Sequence, residues 1–192
     1  MEKVLTRNIG PEQTPTDLKA YEANGGYQGL RKALSDLSPK DCQAVISDSN
    51  LRGRGGAGFP TGMKWSFVPM GDSCTPGHKY LVCNADEMEP GAFKDRLLME
   101  CDPHQLIEGM ILAAYTIGAD LSYIFIRGEY VVAIERLRGA LAECYASGLL
   151  GENILGSGFS LEMNVHPSAG RYICGEETAL INGLEGKRAI PR

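Results

Sequence analysis

The chain has 192 residues, 43% of them hydrophobic, which is enough for one α/β domain with its own core and ordinary for a globular protein. A net charge of -5 speaks against a dedicated nucleic-acid binder, whose contact face is basic, so any anion site has to be local. The longest apolar stretch, Gly109 to Ile117, is too short to span a bilayer, and the polar N-terminus lacks a signal peptide's apolar core; the expected location is cytoplasmic, with no direct membrane insertion.

Residues 1–50 read as a helical N-terminal extension. Ser38 to Asn50 reads as a capped helix followed by a polar turn. Residues 51–192 read as an α/β domain. Lys79 to Asn84 is a short apolar run ending in polar residues, the signature of a buried strand. Asp102-Pro103 opens a helix, Gln105 completes a capping box, and Leu106, Met110, Ala113 and Ile117 share one face up to Gly118. Tyr123 to Arg127 is the next strand. Tyr130, Ile134, Leu137, Leu141 and Cys144 then recur at helical spacing, with Glu135, Arg136 and Glu143 turned away, as far as Gly148. Phe159 to Val165 alternates as a strand, and Gly175-Glu176-Glu177 begins a final helix whose acidic first turn complements the macrodipole. Strands alternating with helices predict the α/β class: a Rossmann-like parallel sheet with helices on both faces.

Between the two regions lies the densest signal, Gly53-Arg54-Gly55-Gly56-Ala57-Gly58-Phe59-Pro60-Thr61-Gly62-Met63-Lys64-Trp65. Glycines give up much backbone entropy on folding, but they leave bare amides that can turn toward an anion. Arg54 and Lys64 add charge; Phe59 and Trp65 add flat apolar faces. A merely flexible surface loop would be Gly/Ser-rich and polar. Gly53, Gly55 and Gly58 formally satisfy G-x-G-x-x-G, yet no apolar strand precedes them and Pro60 stands where the following helix should continue. The Walker pattern fails as well, because Lys64 follows Met63 rather than glycine and precedes Trp65 rather than Ser or Thr. The loop is therefore a phosphate or flavin loop of another kind.

In open α/β sheets ligands sit beyond the carboxyl ends of the strands. Asn84, Asp86 and Glu87 follow the first strand and offer an amide and carboxylates to ring or ribose donors; a solvated acidic turn is the plain alternative. Ser168 to Glu177 follows the last strand, and for Gly175-Glu176-Glu177 simple helix capping is the competing explanation. Cys42, Cys74, Cys83, Cys101, Cys144 and Cys174 are widely scattered without a C-x-x-C pair, which predicts reduced, packed thiols and no metal site; His78, His104 and His166 likewise lack partners at ligand spacing. The residues alone leave open a triphosphate-dependent transferase and a non-enzymatic nucleotide- or partner-binding module.

Three segments in order, Gly53 to Trp65, Asn84 to Gly91 and Gly170-Arg171-Tyr172-Ile173-Cys174-Gly175-Glu176-Glu177-Thr178-Ala179-Leu180, together with the helix Tyr27 to Leu34, resemble the NADH-binding, FMN-carrying F subunit of bacterial respiratory complex I. The same module occurs in NAD-linked hydrogenases and formate dehydrogenases. The resemblance implies hydride transfer from NADH to FMN and single-electron steps through iron–sulfur clusters toward quinone. It implies FMN contacts by Gly53, Arg54, Gly55, Gly56, Gly58, Lys64, Asn84, Asp86, Glu87, Gly175, Glu176 and Glu177. Phe59, Phe67, Glu89 and Tyr172 would meet NADH, with Glu87 and Glu89 the carboxylates nearest the chemistry. Implied partners are a thioredoxin-like 2Fe-2S subunit and the other peripheral-arm subunits, on the cytoplasmic side of the inner membrane. Members of that family continue past the position of Arg192 into a ubiquitin-like domain and a helical bundle holding a 4Fe-4S cluster. The expectation is thus an incomplete α/β domain, inactive by itself.

Overall fold

Three apolar runs form the sheet. In the computed structural model, which describes residues 3–71 and 77–192, β1 (Tyr80–Ala85), β2 (Leu121–Arg127) and β3 (Glu162–Ser168) lie side by side in that order. Both pairings are parallel, with Tyr80 opposite Leu121 and Leu121 opposite Glu162. Parallel neighbours require crossovers. Helices α5 (Lys94–Cys101) and α6 (Pro103–Ile117) connect β1 to β2, and α7 (Val131–Ala146) connects β2 to β3.

Side-chain alternation divides the interior into two clusters. Ala85, Ile124, Ile126 and Met163 enter the larger one with Ile107, Ile111 and Leu137 from α6 and α7. Phe125, between Ile124 and Ile126 in sequence, joins Cys174 and Leu180 of α8 (Glu177–Leu184) in a smaller one. Helices therefore lie on both faces, as the alternating pattern predicts, and the carboxyl ends of all three strands point to one edge of the molecule.

Residues before the sheet form α1 (Leu18–Ala23), α2 (Gln28–Asp36) and α3 (Pro39–Asp48), and α4 (Thr61–Ser66) follows the glycine loop. Tyr21, Tyr27 and Leu30 are buried in the same cluster as the strands. One carboxylate docks α2: Glu108 of α6 accepts from the Tyr21 hydroxyl at 2.7 Å and from the amides of Tyr27 and Leu30 at 2.9 and 3.2 Å. The Ser38–Asp41 capping box opens α3, with Pro39 in its first turn.

Several local expectations are corrected. Asp102 precedes α6 but makes no side-chain cap; its carboxylate instead accepts Asn8 Nδ2 at 2.9 Å, so the capping box with Gln105 does not form. On α6 the face read from the sequence is too narrow: Ile107, Ile111 and Ala114 are fully buried as well, because α6 lies between the sheet and the N-terminal helices. Strand β3 begins at Glu162, later than Phe159, because Leu161 is engaged in an antiparallel bridge with Gly151. Five cysteines are free thiols, four of them buried, and Cys74 lies outside the described residues. The histidines have ordinary partners: His78 pairs with Asp120, His104 with Tyr27 and Glu143, and His166 stacks on Phe125. Among the described residues no helix is long and apolar enough to cross a membrane.

Candidate functional site

The glycine loop is closed at its base by main-chain bonds. Arg52 and Pro60 form an antiparallel bridge, Gly53 N donates to Phe59 O at 2.9 Å, and Thr61 N donates to Leu51 O at 2.9 Å. Within it Gly56 and Gly58 adopt φ of 130° and 61°, a region L-residues rarely enter. Space for a Cβ is open at Gly55, Gly56 and Gly58, so a ligand can approach the main chain there closely. The loop joins α3 to α4 and starts no βα unit, which is why the dinucleotide fingerprint did not fit its flanks.

A second wall grows from the end of β1. Asn84 uses its amide to hold the approaching chain in place: Nδ2 donates to Cys174 O at 2.9 Å, while Oδ1 accepts Asp86 N at 3.1 Å. Asp86 is only 8% exposed; Oδ2 accepts from the Ser168 hydroxyl at 3.1 Å, and Oδ1 is buried without a hydrogen-bond partner. Burial pushes its carboxyl above the ordinary range, opposed by the Ser168 bond. The Glu87 carboxylate turns to the start of α5, accepting from Asp95 N at 3.0 Å and Arg96 N at 3.1 Å, with Lys94 Nζ at 3.9 Å. A carboxylate at a helix N-terminus satisfies orphan donors and complements the dipole.

The third wall follows β3. Tyr172 to Gly175 makes one 3-10 turn, and Glu176 caps α8 by accepting from Thr178 N and Ala179 N at 3.1 and 2.9 Å. These bonds, with the Thr178 hydroxyl foremost, hold the Glu176 carboxyl below its usual range. The capping explanation thus holds for Glu176. The Tyr172 hydroxyl donates to Glu89 Oε2 at 2.6 Å and joins the third wall to the second.

The three walls enclose a cleft of about 660 Å³. Of the residues singled out from sequence, Arg54, Gly55, Gly56, Asn84, Asp86 and Glu87 line it, as do Glu89, Tyr172, Gly175 and Glu176. Gly53, Gly58, Phe59, Lys64, Phe67 and Glu177 are not on its lining. They sit beside it: Phe59 and Phe67 are exposed, with ring centroids 6.2 Å apart, and Lys64 Nζ meets Glu177 Oε1 at 3.6 Å. The sequence reading missed Met88, Ala92, Lys94, Asp95 and Ile173 as lining residues, and Ser168 as the partner of Asp86. Apart from Ser168, which ends β3, these fall in segments that follow a strand, so their position was a signal even where their residue types were not.

Residues 46–192 match the family described as the Nuo51 FMN-binding domain. The chain is 58% identical over 191 residues to the second F subunit of the NADH-quinone oxidoreductase of Rhizobium meliloti, covering 100% of this chain and 44% of that protein. It is 55% identical over 188 residues to the corresponding F subunit of Escherichia coli, covering 98% of this chain and 42% of the relative. The chain thus spans less than half the length of these curated relatives. A crystal structure of an NAD+-reducing [NiFe]-hydrogenase in the H2-reduced state superposes with a TM-score of 0.75 at 35% identity, over 100% of this chain and 29% of that one. A match over residues 46–192, carrying all three walls of the cleft, makes this chain a member of the Nuo51 FMN-binding domain family.

Proposed function

We propose that this chain forms the FMN- and NADH-binding part of the NADH dehydrogenase module of respiratory complex I. The observation that carries the proposal is the cleft itself, which unites an approachable glycine main chain and Arg54 with an acidic wall containing a buried, unpartnered carboxylate oxygen. Those features fit FMN: the amides and the cation suit its phosphate, and Asp86 Oδ1 and the neighbouring carboxylates suit its hydrogen-bond donors. Bound there, FMN would supply the chemistry of hydride acceptance from NADH and one-electron release toward iron–sulfur clusters.

The chain's own residues bind and orient. Gly53, Gly55, Gly56, Gly58, Arg54 and Lys64 hold the flavin nucleotide on one side, and Asn84, Asp86, Glu87, Gly175, Glu176 and Glu177 hold it on the other. Phe59 and Phe67 offer exposed rings to the adenine of NADH, and Glu89 and Tyr172 meet the dinucleotide at the rim. Glu87 lines the cleft, and its carboxylate also fixes the start of α5 and so the segment that carries Glu89. The partners are a thioredoxin-like 2Fe-2S subunit and other peripheral-arm subunits, at the cytoplasmic side of the inner membrane.

The likeness to the hydrogenase supports a second reading, the diaphorase part of an NAD-linked hydrogenase; the higher identity to the quinone oxidoreductase relatives favours the first. The test is a chimera of this chain with the C-terminal part of the Rhizobium meliloti relative. A yellow protein with flavin absorbance that oxidises NADH with an artificial acceptor is expected. A colourless protein that binds ATP would overturn the reading in favour of a nucleotide-dependent transferase.

A further inference from the structure

We propose that Ser168 is a positioning residue of the flavin site, anchoring the Asp86 carboxylate through Oδ2 and leaving Oδ1 as acceptor for a donor group of the bound cofactor. This inference rests on the flavin reading above and assigns a role to a residue outside the cleft lining. Ser168 ends β3, opposite Arg127 of β2, and Asp86 follows the end of β1, so their bond bridges the carboxyl end of the central strand.

The hydroxyl is oriented from both sides. Ser168 Oγ accepts the Gly170 amide at 3.0 Å and donates to Asp86 Oδ2 at 3.1 Å. With an amide proton on the oxygen, its own proton is directed at the carboxylate. Ser168 thus ties Asp86 through Oδ2, and Oδ1 is buried without a hydrogen-bond partner. Buried polar atoms in native proteins are nearly always satisfied, and an unpaired one on a cleft lining is a ready acceptor for a ligand donor. Among the described residues the charged and titratable groups acting on Asp86 come from three sides. Arg127 of β2 favours its ionised form, Glu129 beyond β2 disfavours it, and the Arg171 amide favours it. The Cys174 thiol also faces this carboxyl.

The sign of the effect follows. A donor on the cofactor bonds the ionised carboxylate more strongly than the neutral acid, so flavin affinity falls as pH drops through the Asp86 titration. Burial has already moved that titration upward, and the Ser168 bond opposes the move. Removing the hydroxyl shifts the loss of affinity to higher pH. The titration of the FMN phosphate is common to all variants and cancels in the comparison.

The experiment measures FMN affinity by quenching of flavin fluorescence, from about pH 5 to about pH 8, in the flavin-binding chimera described above, with thermal melting of each apoprotein alongside. Ser168→Ala should weaken FMN roughly three- to tenfold at neutral pH, as loss of one hydrogen bond predicts, and should move the acid limb of the profile upward. Ser168→Thr, which restores the hydroxyl, should return both to wild type. In an Asp86→Asn background, adding Ser168→Ala should leave the shape of the profile unchanged. A Ser168→Ala profile superimposable on wild type would overturn the proposal. So would an equal loss at every pH accompanied by a lower melting temperature, which is what a purely structural tie produces. Failure of the wild-type chimera to bind FMN would instead strike at the flavin reading, and the proposal would fall with it.

Discussion

The hydroxyl of Tyr172 donates to the carboxylate of Glu89 at 2.6 Å, although the two residues are 83 positions apart. Tyr172 is 63% exposed, and the carboxylate pushes its phenol above the ordinary range. The pair therefore bridges the rim of the cleft between the wall after β1 and the turn after β3. On the proposed function, a dinucleotide that uses Glu89 would share or replace this bond, which assigns the rim to the incoming substrate and the deeper walls to the cofactor.

A division of labour between NADH and flavin follows. Glu89→Gln and Phe59→Ala, made in the chimera, should raise the Michaelis constant for NADH while flavin content stays near wild type. Steady-state kinetics with flavin quantified from absorbance checks both. Loss of flavin with normal NADH kinetics in the remaining loaded enzyme would reverse the assignment.

Lys64 separates stability from binding. Its ion pair with Glu177 spans 3.6 Å between two exposed side chains, and such pairs contribute about 0–1 kcal/mol. A charge-assisted bond to a bound flavin nucleotide is worth about 1.5–3 kcal/mol. Lys64→Ala should therefore leave urea unfolding almost unchanged and weaken FMN by roughly tenfold to a hundredfold. Unchanged affinity by fluorescence titration would remove Lys64 from the site.

The strands and long helices were legible because their periodicities of two and 3.6 survive in the sequence, as Ile124, Phe125 and Ile126 show by dividing between two clusters. The second buried face of α6 was not, since nothing local to Ile107 or Ile111 reveals that the N-terminal helices return to cover them. The site was legible as segments and not as contacts. The glycine loop and the acidic run announce an anion and its counterpart, yet the bond of Glu87 to α5 depends on a helix start eight residues later. Ser168 carried no signal of its own, because a single serine at a strand end acquires meaning only when Asp86 arrives beside it from another strand.

Glu87 gives a stability prediction distinct from its neighbours. Its side chain is 3% exposed and accepts two main-chain amides that have no other helical partner. Glu87→Ala should lower the unfolding free energy by about 1.5–3 kcal/mol, the range for hydrogen bonds to a charged group. Loosening of α5 should appear as faster amide exchange at Asp95 and Arg96. An unchanged denaturation midpoint would mean that the start of α5 is held by other contacts.

Two thiols should be chemically silent in the folded protein. Desolvation pushes the half-buried Cys83 up to about 12 and the buried Cys144 up to about 11, so the nucleophilic thiolate is scarce at neutral pH. Alkylation by iodoacetamide near pH 8 should reach both only after unfolding. Peptide mapping of native and denatured samples checks this, and rapid native labelling of Cys83 would show that the end of β1 opens to solvent.

The glycine loop depends on a contact outside itself. Gly62 in α4 lies so close to α3 that a Cβ there would stand 2.7 Å from Ser47 Cα and 2.8 Å from Ser47 N, both main-chain atoms that cannot rotate away. Gly62→Ala must therefore separate α4 from α3, and overpacking of this kind costs about 1–3 kcal/mol. Because Thr61 N bonds to Leu51 O at the base of the loop, the displacement should reach Gly53 to Gly58 and impair binding of an anionic cofactor along with stability. Gly55→Ala is the contrast, since open space surrounds that position and its φ is not in the left-handed region. It should melt like wild type and report only on how closely the ligand approaches the loop. Equal melting temperatures for the two variants would show that the α3–α4 contact yields without cost, and that the loop is held by its own base alone.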